Sequence, residues 1–464
     1  MAPETSSVVP EPTVIKPRDA RWSSLYTGLS AAALLLLVLS LFGLLPLREP
    51  EPPKPVAFAP AKAVEPVRLP APSASAPLVS QLVLWSFPLC TKPSHGAKLY
   101  RVALGAERDA FVVWCQSEFL LLDVAAGSAV DGAPRITRLG RFAARGELPG
   151  GALALDLDGD ATLDLALGVA PAPSAIHRPF SGVFWLRGRP AGGYELPRTL
   201  VEMPVVGLEA AELDGAPGSE LMVLTRGDPV AQRPGELWLF AGGTSPTRAA
   251  VLQTALAPSD LVWGPARDAG PELWLSSTQP GSLVRFRFTR EATPAVGAAP
   301  GTGWTKPERT ELALRGVQSF VAGPRDDRAL LVRGVNTIQR LDSEATPKLT
   351  PWLEQAELGP SAWLHSARDG KPVVFGATQT GFSWLRGDKR NERSLPKGTR
   401  VLDVSSNGAG AAHARAVLLI ETEEQGPNLA LVVLPVDVRD EASDVELRSG
   451  AVEASPTEAH LTLE

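Results

Sequence analysis

Cysteine, histidine, methionine and tyrosine are scarce in this chain of 464 residues, with two, five, three and three copies respectively. The histidines, His95, His177, His365, His413 and His460, never fall at H-x-x-x-H spacing or at a Cys/His spacing, so a zinc site has no ligand motif to rest on. There is no G-x-S-x-G elbow, phosphate loop or dinucleotide fingerprint, and no catalytic residue or organic cofactor is assigned. The net charge of −6 is spread without blocks. A nucleic-acid surface would show as a basic stripe, and none is present, so no nucleic-acid partner is expected. Cys90 and Cys115 leave two readings open. Outside the cytosol they could pair, pinning the PLCTKP segment and contributing about 3 kcal/mol; alternatively Cys115, in FVVWCQ, is a small buried core residue.

What the chain does have is punctuation: 44 prolines and 42 glycines separate short aliphatic runs, with no long amphipathic helical pattern in the C-terminal four-fifths. This points to an all-β body. Within it, the stretch ALALDLDGDATLDLALGV places Asp156, Asp158, Asp160 and Asp164 at positions 1, 3, 5 and 9 of a loop between two apolar alternating runs. A hard cation such as Ca²⁺ takes six to eight oxygens, and carboxylates at every second residue of a tight turn converge on one point, with the Thr162 carbonyl completing the ring. Gly159 supplies the freedom for positive φ that such a turn needs. The alternative is a solvated acidic hairpin tip. Short apolar flanks bounded by Gly-Gly and Pro predict strand, turn, strand rather than a helix-flanked loop.

A phrase then repeats. Gly182, Trp185 and Leu186 in GVFWLRG return as Gly235, Trp238 and Leu239 in GELWLF and as Gly381, Trp384 and Leu385 in GFSWLRG. Weaker copies stand at Gly281 with Val284 and at Gly334 with Thr337 and Ile338, and SEFLLL around Leu120 and PNLALV around Ala430 mark the ends. The anchors at 120, 185, 238, 284, 337, 384 and 430 are 46 to 65 residues apart. A period near 50 with three or four strands per unit is that of a propeller blade, and seven such units account for about 350 residues. AELDGAPGSEL superimposes on LDLDGDATLDL, placing Glu212, Asp214 and Glu220 on Asp156, Asp158 and Asp164, but Ala216 replaces the central aspartate, which predicts loss of the metal there. Asp109, Asp268, Asp326, Asp327 and Asp369 are read as turn and solvation residues. Trp114, Trp185, Trp238, Trp274 and Trp384 are expected to pack between blades at repeat-equivalent places, whereas Trp263, Trp352 and Trp363 could line the face where loops converge.

These residues resemble the FG-GAP or VCBS-type repeats of integrin-α-like seven-bladed propellers, fully over about 150–188 and weakly over about 80–447. The resemblance implies structural calcium, with Asp156, Asp158, Asp160 and Asp164 as side-chain ligands and Thr162 as a backbone ligand. The sequence departs from the pattern at Ala161, where the family prefers glycine, and the tripeptides that name the family are out of register.

Leu25 to Leu45 is uncharged, and 21 residues at 1.5 Å each give about 31 Å, enough for one transmembrane helix. A cleaved leader is the competing reading, but the run exceeds the usual length of about 7 to 15 residues and no small-x-small site follows closely, so an uncleaved signal anchor is expected. Lys16, Arg18 and Arg21 before the span, against Arg48 and Lys54 after it, favour a cytoplasmic N-terminus. Ten prolines between Pro46 and Pro77 read as an extended stalk. The expected organisation is a disordered cytoplasmic tail over 1–24, a membrane helix over 25–45, a Pro-rich linker over 46–77 and an all-β, seven-bladed β-propeller over 78–464. It would sit in the inner (cell) membrane with the propeller periplasmic or extracellular. The expected function is binding or interaction with a protein or glycan ligand. One alternative is a propeller-based carbohydrate-active enzyme, a lyase or glycosidase, which would need paired carboxylates or a His/Tyr cluster on one face. The other is a single-pass surface sensor signalling through its tail.

Overall fold

The computed structural model describes most residues between Leu82 and Ala454; the segments before and after, and several short stretches between strands, lie outside the described residues. Among the described residues thirty strands form seven sheets, the blades of a propeller, antiparallel except where Val445–Ser449 and Glu453–Ala454 each add to a blade in parallel. Blades 1 to 6 are consecutive four-stranded meanders whose innermost strands are Leu99–Ala103, Glu147–Leu155, Val205–Ala211, Pro258–Trp263, Ser319–Phe320 and Ser361–His365. Blade 7 takes Thr399–Ser406, Arg415–Thr422 and Asn428–Pro435 from the end of the chain and completes itself with Leu82–Thr91 from its beginning.

Each repeat anchor falls in the third strand of its blade or at that strand's edge. Leu120, Trp185, Trp238, Val284, Trp384 and Ala430 lie within third strands, and Thr337 immediately precedes Ile338–Asp342. Second and third strands are covered on both faces by neighbouring blades. Hence Gly182–Leu186, Glu220–Thr225 and Glu272–Ser277 are buried at every residue, and their apolar residues stand side by side instead of alternating with polar ones. Outermost strands such as Lys389–Ser394, with the sequence KRNERS, face water and carry charges that discourage edge pairing.

The core is divided into seven apolar clusters, one at each junction between adjacent blades. They range from Val102, Trp114 and Leu167 between blades 1 and 2 to Phe87, Phe111 and Leu419 between blades 7 and 1. Trp114, Trp185, Trp238, Trp274 and Trp384 all pack at such junctions, as expected. Their places are not all equivalent: Trp114 and Trp274 are on second strands and the other three on third strands. Trp363 is 4 % exposed within the blade 5 and 6 cluster, with Trp352 edge-on to it at 6.4 Å, and Trp263 packs against the cluster of blades 3 and 4. These three rings therefore serve packing and do not form a loop-face platform.

The junction between blades 7 and 1 is closed three times. The strand Leu82–Thr91 pairs antiparallel with Asn428–Pro435. Cys90 on that strand is disulfide-bonded to Cys115 in the second strand of blade 1, with Cα atoms 5.9 Å apart. Finally, Val445–Ser449 adds to blade 7 in parallel with Leu82–Thr91, and Glu453–Ala454 adds to the outer edge of blade 1. The expected membrane helix over 25–45, the tail and the Pro-rich linker lie outside the described residues. Among the described residues no helix is long and apolar enough to cross a membrane.

Candidate metal centre

The aspartate loop joins the first and second strands of blade 2, between Leu155 and Asp164, so the expected strand-turn-strand context holds. Asp156 organises the turn. Its Oδ1 accepts the backbone N–H groups of Gly159 at 2.8 Å and Asp160 at 3.2 Å, and its Oδ2 that of Ala161 at 2.9 Å. Gly159 sits at φ +78°, and a Cβ there would meet the Pro217 carbonyl of blade 3 at 2.9 Å. Blade 3 grips the loop from that side, with Ser219 N–H donating to the Asp156 carbonyl at 2.6 Å and Gly243 N–H to that of Leu157 at 2.7 Å. The loop is thus part of a seam between blades 2 and 3.

Ala161 adopts φ +63°, in the left-handed region where a Cβ is strained. Ala161→Gly is expected to raise stability by roughly 1 kcal/mol, read as a higher urea midpoint at unchanged slope. A lower midpoint would show that the loop relaxes the strain in another way.

Oxygens of Asp156, Asp158 and Asp164 lie within 4.8 Å of one another, so three of the four predicted carboxylates converge. The fourth turns away: Asp160 Oδ1 accepts Thr162 N–H at 2.8 Å, and its Oδ2 pairs with Arg187 at 3.0 Å. Arg187 also pairs with Asp158. Its guanidinium supplies positive charge to the loop, and Asp158, foremost, holds the Arg187 pKa above its ordinary value. The Thr162 N–H, with Arg187, holds the Asp160 carboxyl below its usual range. Asp164 is fully buried. Its Oδ2 accepts Leu157 N–H at 3.1 Å and Trp185 Nε1–H at 2.8 Å, and its Oδ1 accepts Gly188 N–H at 2.7 Å. Burial pushes its pKa up, and those donors pull it back.

The donor set therefore fits a hard cation in type and convergence, with Arg187 as a competitor for Asp158 and Asp160. The equivalent loop of blade 3 shows what survives when the set is broken. There Glu220 Oε2 accepts Leu213 N–H at 2.7 Å, as Asp164 does with Leu157, and Ser219 Oγ–H donates to Glu212 at 2.8 Å. The acid that opens the second strand is thus a staple for its own loop, with or without a metal. Asp214, and the side chains of Asp109, Asp268, Asp326, Asp327 and Asp369, lie outside the described residues.

Two important residues were not singled out by the sequence reading. Arg187 is the arginine of the repeated W-L-R-G phrase. Glu272, in the segment RDAGPEL, is the blade 4 counterpart of Asp164 and Glu220, visible in the shared acid-leucine pair at the start of the second strand. It is fully buried and accepts Arg287 Nη2–H at 2.7 Å and Nε–H at 3.0 Å, with Arg285 at 3.5 Å.

No protein-family model matches the chain, and no curated protein matches it. Among solved structures it is similar to BBS1N in complex with ARL6DN, at 11 % identity and TM-score 0.47, covering 77 % of this chain and 99 % of that one. It is also similar to the Dos1 propeller, at 9 % identity and TM-score 0.43, covering 80 % and 99 %. A streptogramin B lyase follows at 13 % identity and TM-score 0.39, covering 76 % and 97 %. With likeness this distant, the assignment of the chain as a seven-bladed β-propeller rests on its own seven sheets.

Proposed function

We propose that the chain is a membrane-anchored interaction module of the FG-GAP/VCBS type, its propeller held outside the cytosol on a Pro-rich stem to engage a protein or glycan ligand. The observation that carries this reading is the Cys90–Cys115 bond across the closing junction. Structural disulfides persist in oxidising compartments, and the uncharged run from Leu25 to Leu45 offers the means to place the ring in one. In intact cells, a bulky thiol reagent is expected to label neither cysteine until a reductant is added, and external protease is expected to reach the propeller once any outer barrier is opened. Free thiols in the untreated protein would overturn the extracytoplasmic placement.

Calcium belongs to the same proposal as a structural ion. Asp156, Asp158 and Asp164 would hold it, with Asp160 and the Thr162 carbonyl joining once Arg187 gives way. The ion would supply charge neutralisation at the seam of blades 2 and 3. After chelation, adding calcium to about a hundred times its Kd is expected to stabilise the protein by about 2.7 kcal/mol, read as a rise in melting temperature. Asp160→Asn should remove the gain, and Arg187→Ala should enlarge it. A flat titration in the parent and in Arg187→Ala would leave the arginine as the loop's resident cation and end the metal assignment.

A further inference from the structure

Strands add to the rim of this ring. The C-terminal strand Val445–Ser449 covers the outer edge of blade 7, and Glu453–Ala454 adds at the outer edge of blade 1. An uncovered outermost strand presents unpaired backbone N–H and C=O groups, and proteins blunt such edges by keeping them short, by charge or by proline. The outer strands of four other blades use these devices. Arg198–Val201 in blade 2 has only four residues, Glu308–Ala313 in blade 4 (ERTELA) and Lys389–Ser394 in blade 6 (KRNERS) carry charges along their length, and Lys348–Leu353 in blade 5 (KLTPWL) contains Pro351.

Blade 3 departs from this pattern. Its outermost strand, Thr247–Gln253, is seven residues long, contains no proline and has a single charge, at Arg248. A bulge at Ala249 is its one edge device, and the outer strands of blades 1, 2 and 5 have bulges as well. Past the bulge the pairing is regular, with Ala250, Val251, Leu252 and Gln253 opposite Leu239, Trp238, Leu237 and Glu236. The uncharged stretch AAVLQ leaves Val251 42 % exposed, beside a Trp238 ring that also carries the Arg248 guanidinium at 4.5 Å. The other exposed large apolar side chain among the described residues, Leu196 at 61 %, stands just ahead of the outer strand of the adjoining blade 2.

We propose that this edge is the contact between two copies of the chain, paired antiparallel about a two-fold axis at Val251 so that two four-stranded blades join into one continuous sheet. In that register Val251 meets Val251 of the second copy, Ala250 meets its Leu252, and Ala249 meets its Gln253. Sides of the sheet agree as well. Ala250 and Leu252 both belong to the cluster of blades 3 and 4, whereas Val251 stands opposite Trp238 on the side of blade 2. The pairing is self-complementary, sets no charge opposite a like charge and closes after two copies because both edges are then used. Flanking charges favour the same occupant: Arg248 of each copy falls at the end of the paired stretch where Glu236 stands in the other, so opposite signs meet.

The test is sedimentation of the full chain in mild detergent over a range of concentrations, joined to cross-linking. The parent protein is expected to shift from monomer to dimer by about 100 µM, and Val251→Lys, which sets two ammonium groups face to face, should weaken the dimer at least about tenfold. Because Cys90 and Cys115 are already bonded to each other, a new cysteine is the one free thiol. Val251→Cys should form a disulfide-linked dimer under mild oxidation, its two Cβ atoms lying about 5 Å apart. Thr247→Cys should not, since its two copies are offset by roughly 27 Å along the strands at about 3.4 Å per residue. The proposal is overturned if the parent stays monomeric, which would leave the edge to a strand of another protein. It is equally overturned if Val251→Lys dimerises like the parent while keeping its melting profile, or if the two cysteine variants cross-link alike.

Discussion

With Cys90 and Cys115 both changed to serine, the protein is expected to lose about 3 kcal/mol of stability, the entropy that a cross-link of this span removes from the unfolded chain. The two positions are 25 residues apart in sequence, yet they belong to the last and first blades of the ring. The bond therefore guards the one junction formed by non-consecutive parts of the chain. Chemical denaturation of the parent protein with and without reductant, beside the double serine variant, measures the effect. Reduced parent and variant should unfold together at a lower midpoint than the oxidised parent. If all three unfold together, the strand pairing and the apolar cluster of Phe87, Phe111 and Leu419 hold the junction without covalent help.

Glu272→Ala is expected to cost about 3–5 kcal/mol, the usual penalty for leaving a buried charge without its partner. Arg285 has a side chain 4 % exposed and lies between Glu272 and the ring of Trp274, whose centroid is 5.7 Å from the guanidinium carbon. Arg287, more exposed, can turn to Glu308, whereas Arg285 has little access to water. Replacing both charges, as in Glu272→Met with Arg285→Leu, should recover most of the loss, since apolar side chains of similar volume often replace a buried ion pair at no cost. Equal destabilisation of the single and double variants would mean that Glu272 acts through local packing of its strand and not through charge.

Architecture was legible because packing repeats. A third strand between two neighbouring blades needs the same glycine, aromatic and leucine each time, so Trp185, Trp238 and Trp384 announced the period. The seven anchors then located one strand in or beside every blade. In the aspartate loop, the turn and the convergence of Asp156, Asp158 and Asp164 were legible because alternating carboxylates and Gly159 are local, whereas the pairing of Asp160 with Thr162 N–H and Arg187 was not. Arg187 was harder to read because its partners are 27 and 29 residues away in sequence, joined only when the third strand pairs beside the second. Glu272 was obscured because its partner is an arginine in place of the backbone N–H used by Asp164 and Glu220, so the motif around it had changed. The bond from Leu99 to Asp403 left no trace in the sequence, because only closure of the ring brings groups some 300 residues apart together.

The position of Leu82–Thr91 has a mechanical consequence. Any tension arriving from the preceding residues enters the ring along this strand, which is zipped to Asn428–Pro435 on one side and Val445–Ser449 on the other. Cys90 lies near the far end of the strand, so a pull that peeled it free would then be stopped by a covalent bond into the middle of blade 1. The load would pass to a strand buried in the body of the propeller, while the opposite blades keep their shape.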